Sequence, residues 1–259
     1  MSPDFQPPPS WRARLAGYAA TPQTIGESGA RVFKLVADAQ PTLFAKAGVA
    51  GTPADPTAEV ARLRWLYGAC VACPEVLAFD TGAGHRWVLM TALPGRDAVA
   101  AALPPERKAT LIGGALRGLH AMATASCPFD ARLDVRLADA HALVAAGLVD
   151  EGDFDDERRG WKPRAVLERV LETRPTVEDA VVTHGDACLS NLMLHADAFA
   201  GFVDWGRVGI ADRHQDLALA CRSISHNLGA ACVEPFLAAY GIAPDPARLA
   251  FYQLLDELF

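Results

Sequence analysis

The sequence predicts an α+β fold of two lobes, a β-rich N-terminal lobe over residues 1–93 and a mostly helical C-terminal lobe over residues 94–259. Three observations predict it. Before residue 90, short apolar-rich runs at residues 31–36 and 43–46 are separated by turn-prone stretches, as strands are. From Pro104 and Pro105 onward, Leu111, Ile112, Leu116, Leu119 and Met122 recur at helical spacing, and later segments keep that period. Between these regimes, residues 91–95 (TALPG) contain Pro94 and Gly95, which suit neither period and mark a hinge.

Each element has a local reason. Lys46 ends the run Leu43, Phe44, Ala45, one charge among apolar neighbours late in a hairpin. Asp55 is a natural N-cap with Pro56 in the first helical position, and Val60, Leu63, Leu66 and Tyr67 supply the period of a helix that carries Glu59 in its first turns. Further helices are predicted over residues 132–146, 163–173, 213–227, 233–240 and 246–258, with a strand over 181–183. Residues 192–195 and 199–203 flank the turn-prone Ala196, Asp197 and Ala198 and predict a hairpin. Asp216 opens the helix rich in Leu217, Ala218, Leu219 and Ala220, where capping and bracing of a loop are compatible, and His120 is assigned a structural place.

Composition narrows the classes. With 51% apolar residues the chain can bury a large core. Pro7, Pro8 and Pro9 precede Trp11 where a signal peptide would have a basic start and apolar core, and no apolar run is long enough to span a bilayer. A cytoplasmic protein with no membrane partner is expected, monomeric or weakly dimeric. The net charge of −7 and the lack of a basic stripe interleaved with aromatics argue against a nucleic-acid partner. Among Cys70, Cys73, Cys127, Cys188, Cys221 and Cys232 no second pair matches Cys70 and Cys73, so reduced thiols are expected rather than a metal site.

The chemistry resides in His184, Gly185, Asp186 and Asn191, followed by Asp204 and Gly206. Phosphoryl transfer needs a nucleophile held in line and charge neutralised by metal ions and cations. Asp186 can orient an attacking hydroxyl, and the oxygens of Asn191 and Asp204 suit Mg²⁺, a hard cation. Upstream, Lys46 and Glu59 fit the lysine that contacts nucleotide phosphates and the acid that fixes it. Taken singly, an edge lysine in water and a glutamate favoured by the helix dipole would suffice; the ordered set makes the kinase reading. Gly26, Glu27, Ser28 and Gly29 suit a phosphate-covering loop or a hairpin turn, and Phe44 and Met90 an adenine slot or core.

Only a short loop separates Asp204 from Asp216, so a peptide-docking segment is missing and a small acceptor is expected. Two acidic clusters favour a cationic one: Asp150, Glu151, Asp153, Asp155, Asp156 and Glu157, and Asp256 with Glu257 beside Phe259.

These residues resemble the aminoglycoside 3′-phosphotransferases, the kanamycin kinases, over nearly the whole chain. The resemblance rests on VVTHGDACLSN (residues 181–191), GFVDWGRVGIADRHQD (201–216) and the ending LLDELF. It implies a bilobal protein-kinase-like fold and transfer of the γ-phosphoryl group of ATP, with Mg²⁺, to the 3′-hydroxyl of an antibiotic such as kanamycin or neomycin, conferring resistance. It further implies Asp186 as catalytic carboxylate, Asn191 and Asp204 as metal ligands, and Lys46 with Glu59 as the phosphate-binding pair. Ser28 would contact phosphate, Phe44 would stack on adenine beside Met90, and the backbone from Thr91 to Leu93 would bond its edge. Asp155, Asp156, Asp256, Glu257 and the Phe259 carboxylate would bind the antibiotic's amines, with Arg207 and Arg222 bracing them. The sequence differs from that family at Ser223, where an acid is usual, and at Trp205, where a small residue is. The same fold could instead serve another amine or sugar acceptor, or act as a nucleotide-binding scaffold.

Overall fold

Alternation along the first strands sets up a sheet with one dry face. Strands β1 (Ala19–Gln23), β2 (Arg31–Val36) and β3 (Leu43–Val49) form an antiparallel meander, with Phe33 opposite Ala45 and Arg31 opposite Ala47. Helix α1 (Thr57–Gly68) follows, then β4 (Val76–Gly82) and β5 (His85–Thr91), which complete the five-stranded order β1-β2-β3-β5-β4. Because side chains alternate along a strand, Leu43, Ala45 and Ala47 of β3 enter a buried cluster while Phe44 and Lys46 face the other way. That cluster adds Phe5, Trp11, Leu15 and Tyr18 from the N-terminal segment, and Phe33 stacks on Trp87 with ring centroids 6.1 Å apart. The Trp11 indole N–H donates to Asp80 at 2.7 Å, so even this ring's polar atom is matched.

The structure is a computed structural model that describes residues 5–23, 29–243 and 245–259. It divides into two compact units, Met1–Gly95 with Ala200–Gly206, and Arg96–Phe199 with Arg207–Phe259. The predicted α1 cap shifts by one residue. Asp55 Oδ1 accepts the Thr57 N–H at 3.0 Å and Asp55 Oδ2 the Gly51 N–H at 2.9 Å, so the helix begins at Thr57 instead of Pro56.

The second unit opens with β6 (Arg96–Asp97) and continues with α2 (Pro105–His120), α3 (Leu133–Ala146), α4 (Pro163–Thr173) and β7 (Ala180–Thr183). Then come β8 (Leu192–His195), which pairs with β6, and β9 (Ala198–Phe202). The turn between them is the predicted one: Ala196 and Asp197 both have positive φ, 47° and 62°, the conformation of a tight two-residue hairpin turn. Strand β10 (Gly209–Asp212) pairs antiparallel with β7, and α5 (Arg213–Leu228), α6 (Val233–Tyr240) and α7 (Pro246–Asp256) end the chain. Leu133, Leu137, Val166, Val170, Ala218 and Leu255 centre a core that draws on α3, α4, α5 and α7. The α5 cap is Asp212, whose carboxylate accepts the His214 N–H at 2.9 Å; Asp216, one turn further in, is left to brace another segment. Among the described residues no helix is long and apolar enough to cross a membrane.

Candidate active site

In the first unit the outward face of β3 carries Phe44 and Lys46. Their partners across β5 are Met90 and Val88, so Phe44, Val88 and Met90 make an apolar surface with one cation in it. The Lys46 ammonium lies 2.8 Å from Glu59 Oε2 and 3.3 Å from Asp204 Oδ1. Glu59 is only 5% exposed although it is ionic, which its place in the first turn of α1 and its lysine partner make tolerable. Burial alone would lower the Lys46 ammonium; the charges of Glu59 and Asp204 outweigh it and hold the group firmly protonated.

Asp204 is exposed, and its φ of 59° lies in the left-handed region, which costs a non-glycine residue about 1–2 kcal/mol. Trp205 helps hold that turn: its ring is fully buried against Phe202, and its Nε1–H donates to Phe202 O at 2.9 Å. Thr91 N–H donates to Glu75 O and Ala92 N–H to Thr42 O, which leaves Leu93 as the remaining amide of residues 91–93. Ser28, with Gly26 and Glu27, lies outside the described residues.

In the second unit the loop after β7 is fixed by backbone bonds. Asp216 accepts the His184 N–H at 2.6 Å and the Gly185 N–H at 2.8 Å, and it is completely buried. Gly185 has a φ of 87°, and a Cβ there would lie 2.4 Å from Arg207 O, so no other residue fits. The Asn191 amide donates to Asp186 Oδ2 and to Asp186 O, both at 3.0 Å. Its NH₂ is therefore committed to Asp186 and its carbonyl oxygen is the atom left for a cation. Ser223 Oγ accepts the Leu189 N–H at 3.0 Å, tying α5 to the same loop. Cys188 is pushed well above the usual thiol range by burial and by the neighbouring Asp186 charge, which favours the protonated thiol over the nucleophilic thiolate. All six cysteines are free.

A chain of alternating charges crosses the same unit. Arg222 meets Asp256 at 2.5 Å and Asp155 at 3.4 Å; Arg207 meets Asp256 at 3.3 Å and Phe259 O at 3.4 Å. Burial would lower the Arg222 guanidinium, but Asp256 and Asp155 outweigh that and raise it. Arg158, which the sequence reading did not single out, bridges Asp155 at 3.1 Å and Glu257 at 2.9 Å. Its signal was an arginine three residues beyond an aspartate in an otherwise acidic run.

Two expected amine contacts depart from the prediction. The Glu257 side chain is 2% exposed and accepts the Asp155 N–H at 3.1 Å, so it faces the protein and not solvent. Burial, then the Asp155 charge, pushes its carboxyl up to about 7. Asp156 points to solvent, paired with Arg159 outside this network, because the short turn at residues 156–158 turns it away. The Phe259 ring lies under the Arg136 guanidinium, 3.5 Å from its centroid, and so anchors the segment. The structure thus brings together Asp155, Asp256, Arg207 and Arg222, with Glu257 behind them.

A buried lysine–glutamate pair reaching an aspartate, and a loop that presents an aspartate with its asparagine, are the parts of a kinase-type phosphoryl-transfer enzyme. Residues 23–252 match the phosphotransferase enzyme family. An aminoglycoside 3′-phosphotransferase of Streptomyces fradiae is 40% identical, over 90% of this chain and 92% of that protein. The crystal structure of a type VIII aminoglycoside 3′-phosphotransferase is 37% identical, with a TM-score of 0.87 over 96% of this chain and 97% of that one. The aminoglycoside phosphotransferase APH(3″)-Id of Streptomyces rimosus, solved with ADP and streptomycin, is 30% identical, with a TM-score of 0.82 over 95% of each chain. The chain belongs to the phosphotransferase enzyme family, among its aminoglycoside phosphotransferases.

Proposed function

We propose that this enzyme transfers the γ-phosphoryl group of ATP to the 3′-hydroxyl of an aminoglycoside and so confers resistance. The observation that carries the phosphoryl-transfer step is Lys46, held by Glu59 and in reach of Asp204. Lys46 contacts the nucleotide phosphates, Phe44 and Met90 pack on the adenine, and Leu93 N–H with the Thr91 carbonyl reads its edge.

Asp186 orients the acceptor hydroxyl and takes its proton as the P–O bond forms, while ADP leaves from the opposite side. Asn191 and Asp204 each offer a hard oxygen of the kind Mg²⁺ takes, and an ion held by them would neutralise charge on the nucleotide phosphates. Asp155 and Asp256 receive substrate ammonium groups, Arg207 and Arg222 brace them or meet hydroxyls, and Glu257 acts through Asp155. Phe259 anchors the wall of that subsite.

A second reading has support from the streptomycin complex of the Streptomyces rimosus relative: the acceptor is streptomycin and the reacting group its 3″-hydroxyl. ADP release from Mg·ATP by the purified protein, with kanamycin, neomycin or streptomycin, separates the two, with Asp186→Asn as control. Release with kanamycin or neomycin that the variant loses supports the 3′ reading. Release with streptomycin alone replaces it, and no response to any of the three ends the aminoglycoside assignment.

A further inference from the structure

Helices α2 and α6 approach closely because residue 113 is glycine: a Cβ there would lie 2.4 Å from Phe236 O and 3.0 Å from Tyr240 N. The approach carries the Tyr240 hydroxyl to 2.8 Å from His120 Nδ1, at the C-terminal end of α2. His120 Nε2 lies 3.0 Å from Asp216 Oδ2, and the two side chains are 2% and 0% exposed. Asp216 is the residue that receives the His184 and Gly185 amides. At the outer end Arg213 Nη1 donates to the Tyr240 hydroxyl at 3.1 Å, and Arg213 Nη2 donates to Asp179 Oδ1 at 2.9 Å. One continuous chain of hydrogen bonds therefore runs from the Arg213–Asp179 pair to the loop that carries Asp186.

Donor and acceptor capacity sets its direction. A guanidinium only donates, so the Tyr240 oxygen accepts from Arg213 and its own proton is left for His120 Nδ1. A carboxylate only accepts, so His120 Nε2 carries the ring proton toward Asp216. Burial alone would raise the Asp216 carboxyl, yet the hydrogen bonds it accepts from the His120 ring and the His184 N–H hold it below the usual range.

We propose that Tyr240 is a positioning residue for phosphoryl transfer: its hydroxyl fixes His120 as the Nε2–H tautomer and thereby orders Asp216 and the loop bearing Asp186. The proposal rests on Asp186 being the catalytic carboxylate. Loss of the Tyr240 hydroxyl leaves every substrate contact in place and loosens the loop, so it acts on turnover and not on binding.

The test is Tyr240→Phe in the full chain. A loop displaced by a fraction of an ångström is expected to lower kcat by about tenfold or more, with KM for ATP and for the aminoglycoside within about twofold of wild type. Nitrogen-15 resonances of the His120 ring should show a proton on Nε2 alone in the wild type and a changed Nδ1 signal in the variant. Amide exchange at His184 and Gly185 should quicken while that of α5 is unaffected. An unchanged kcat, protons on both His120 nitrogens in the wild type, or faster exchange spread evenly over the unit would each overturn the proposal.

His120→Gln provides the second arm. Adding Tyr240→Phe to it should lower kcat no further, because the hydroxyl has lost the ring it acts through. Additive losses would place Tyr240 outside this chain. If the wild type turns over no acceptor, the catalytic reading fails on its own, and the ring resonances and amide exchange still decide the hydrogen-bond chain.

Discussion

Glu59 holds the Lys46 ammonium at 2.8 Å from the first turn of α1, and Lys46 has the same ammonium 3.3 Å from Asp204. The glutamate thus aims the cation that, on the proposed function, meets the nucleotide phosphates.

Replacing Glu59 should misaim that cation without removing it. For Glu59→Gln, kcat/KM for ATP is expected to fall by about 10²-fold, the cost of a misplaced positioning group. Initial rates across an ATP series check this, and an unchanged kcat/KM would detach the pair from the nucleotide.

Arg222 braces Asp256 and Asp155 together, so its loss should disturb the acceptor subsite and spare the nucleotide site. For Arg222→Ala, KM for the aminoglycoside should rise by about tenfold, near 1.4 kcal/mol, with KM for ATP unchanged. Equal effects on both constants would mark a general loss of structure.

Glu257 makes stability depend on pH. Its carboxyl is raised from 4.5 to about 7 by burial and by Asp155, so the folded protein holds this proton more tightly than the unfolded chain does. That contribution is fully present below about pH 4.5 and is lost as pH rises through about 7. Melting temperatures from pH 5 to 8 should therefore show a decline in the wild type that Glu257→Gln lessens. An identical slope in the two proteins would refute the assignment.

Cys188 is held as a thiol beside Asp186, whereas Cys70 is exposed. Iodoacetamide at pH 8 should label Cys70 within minutes and leave Cys188 and ATP turnover intact over the same period. Peptide mass mapping after timed quenching reads out both sites.

Local chemistry explains which parts were legible in the sequence. Helices α4 and α6 begin and end where predicted because Pro163 occupies a first helical position and Gly241 follows the last turn in a left-handed conformation. The Lys46 strand and the Ala196–Asp197 turn were equally plain, since alternation and turn residues are short-range signals. The N-terminal segment of Phe5, Trp11 and Leu15 has no period to read; it is ordered by packing on Phe33 and Trp87. Two aspartates four residues apart, Asp212 and Asp216, could each have capped α5, and only the fold shows which turns toward His184. Likewise acidic clusters do not say which carboxylates face inward: Asp156 meets Arg159 at the surface, whereas Glu257 meets Arg158 in the interior. The grouping of Ala200–Gly206 with the first unit is a long-range contact pattern, which no window of sequence contains.

Arg158, Arg207 and Arg222 stand against Asp155, Asp256, Glu257 and the Phe259 terminal oxygen, so every acidic group of the cluster already has a guanidinium partner. This cluster carries its own counter-ions. Paired charges packed this closely project little field past a Debye length of about 8 Å at physiological salt. On the proposed function, a polycation would therefore not be drawn to the cluster from afar but sorted on contact, an ammonium exchanging for a guanidinium at Asp155 or Asp256. Charge alone then confers no advantage, and a flexible polyamine competes poorly with a rigid ring system that can complete every exchange at once.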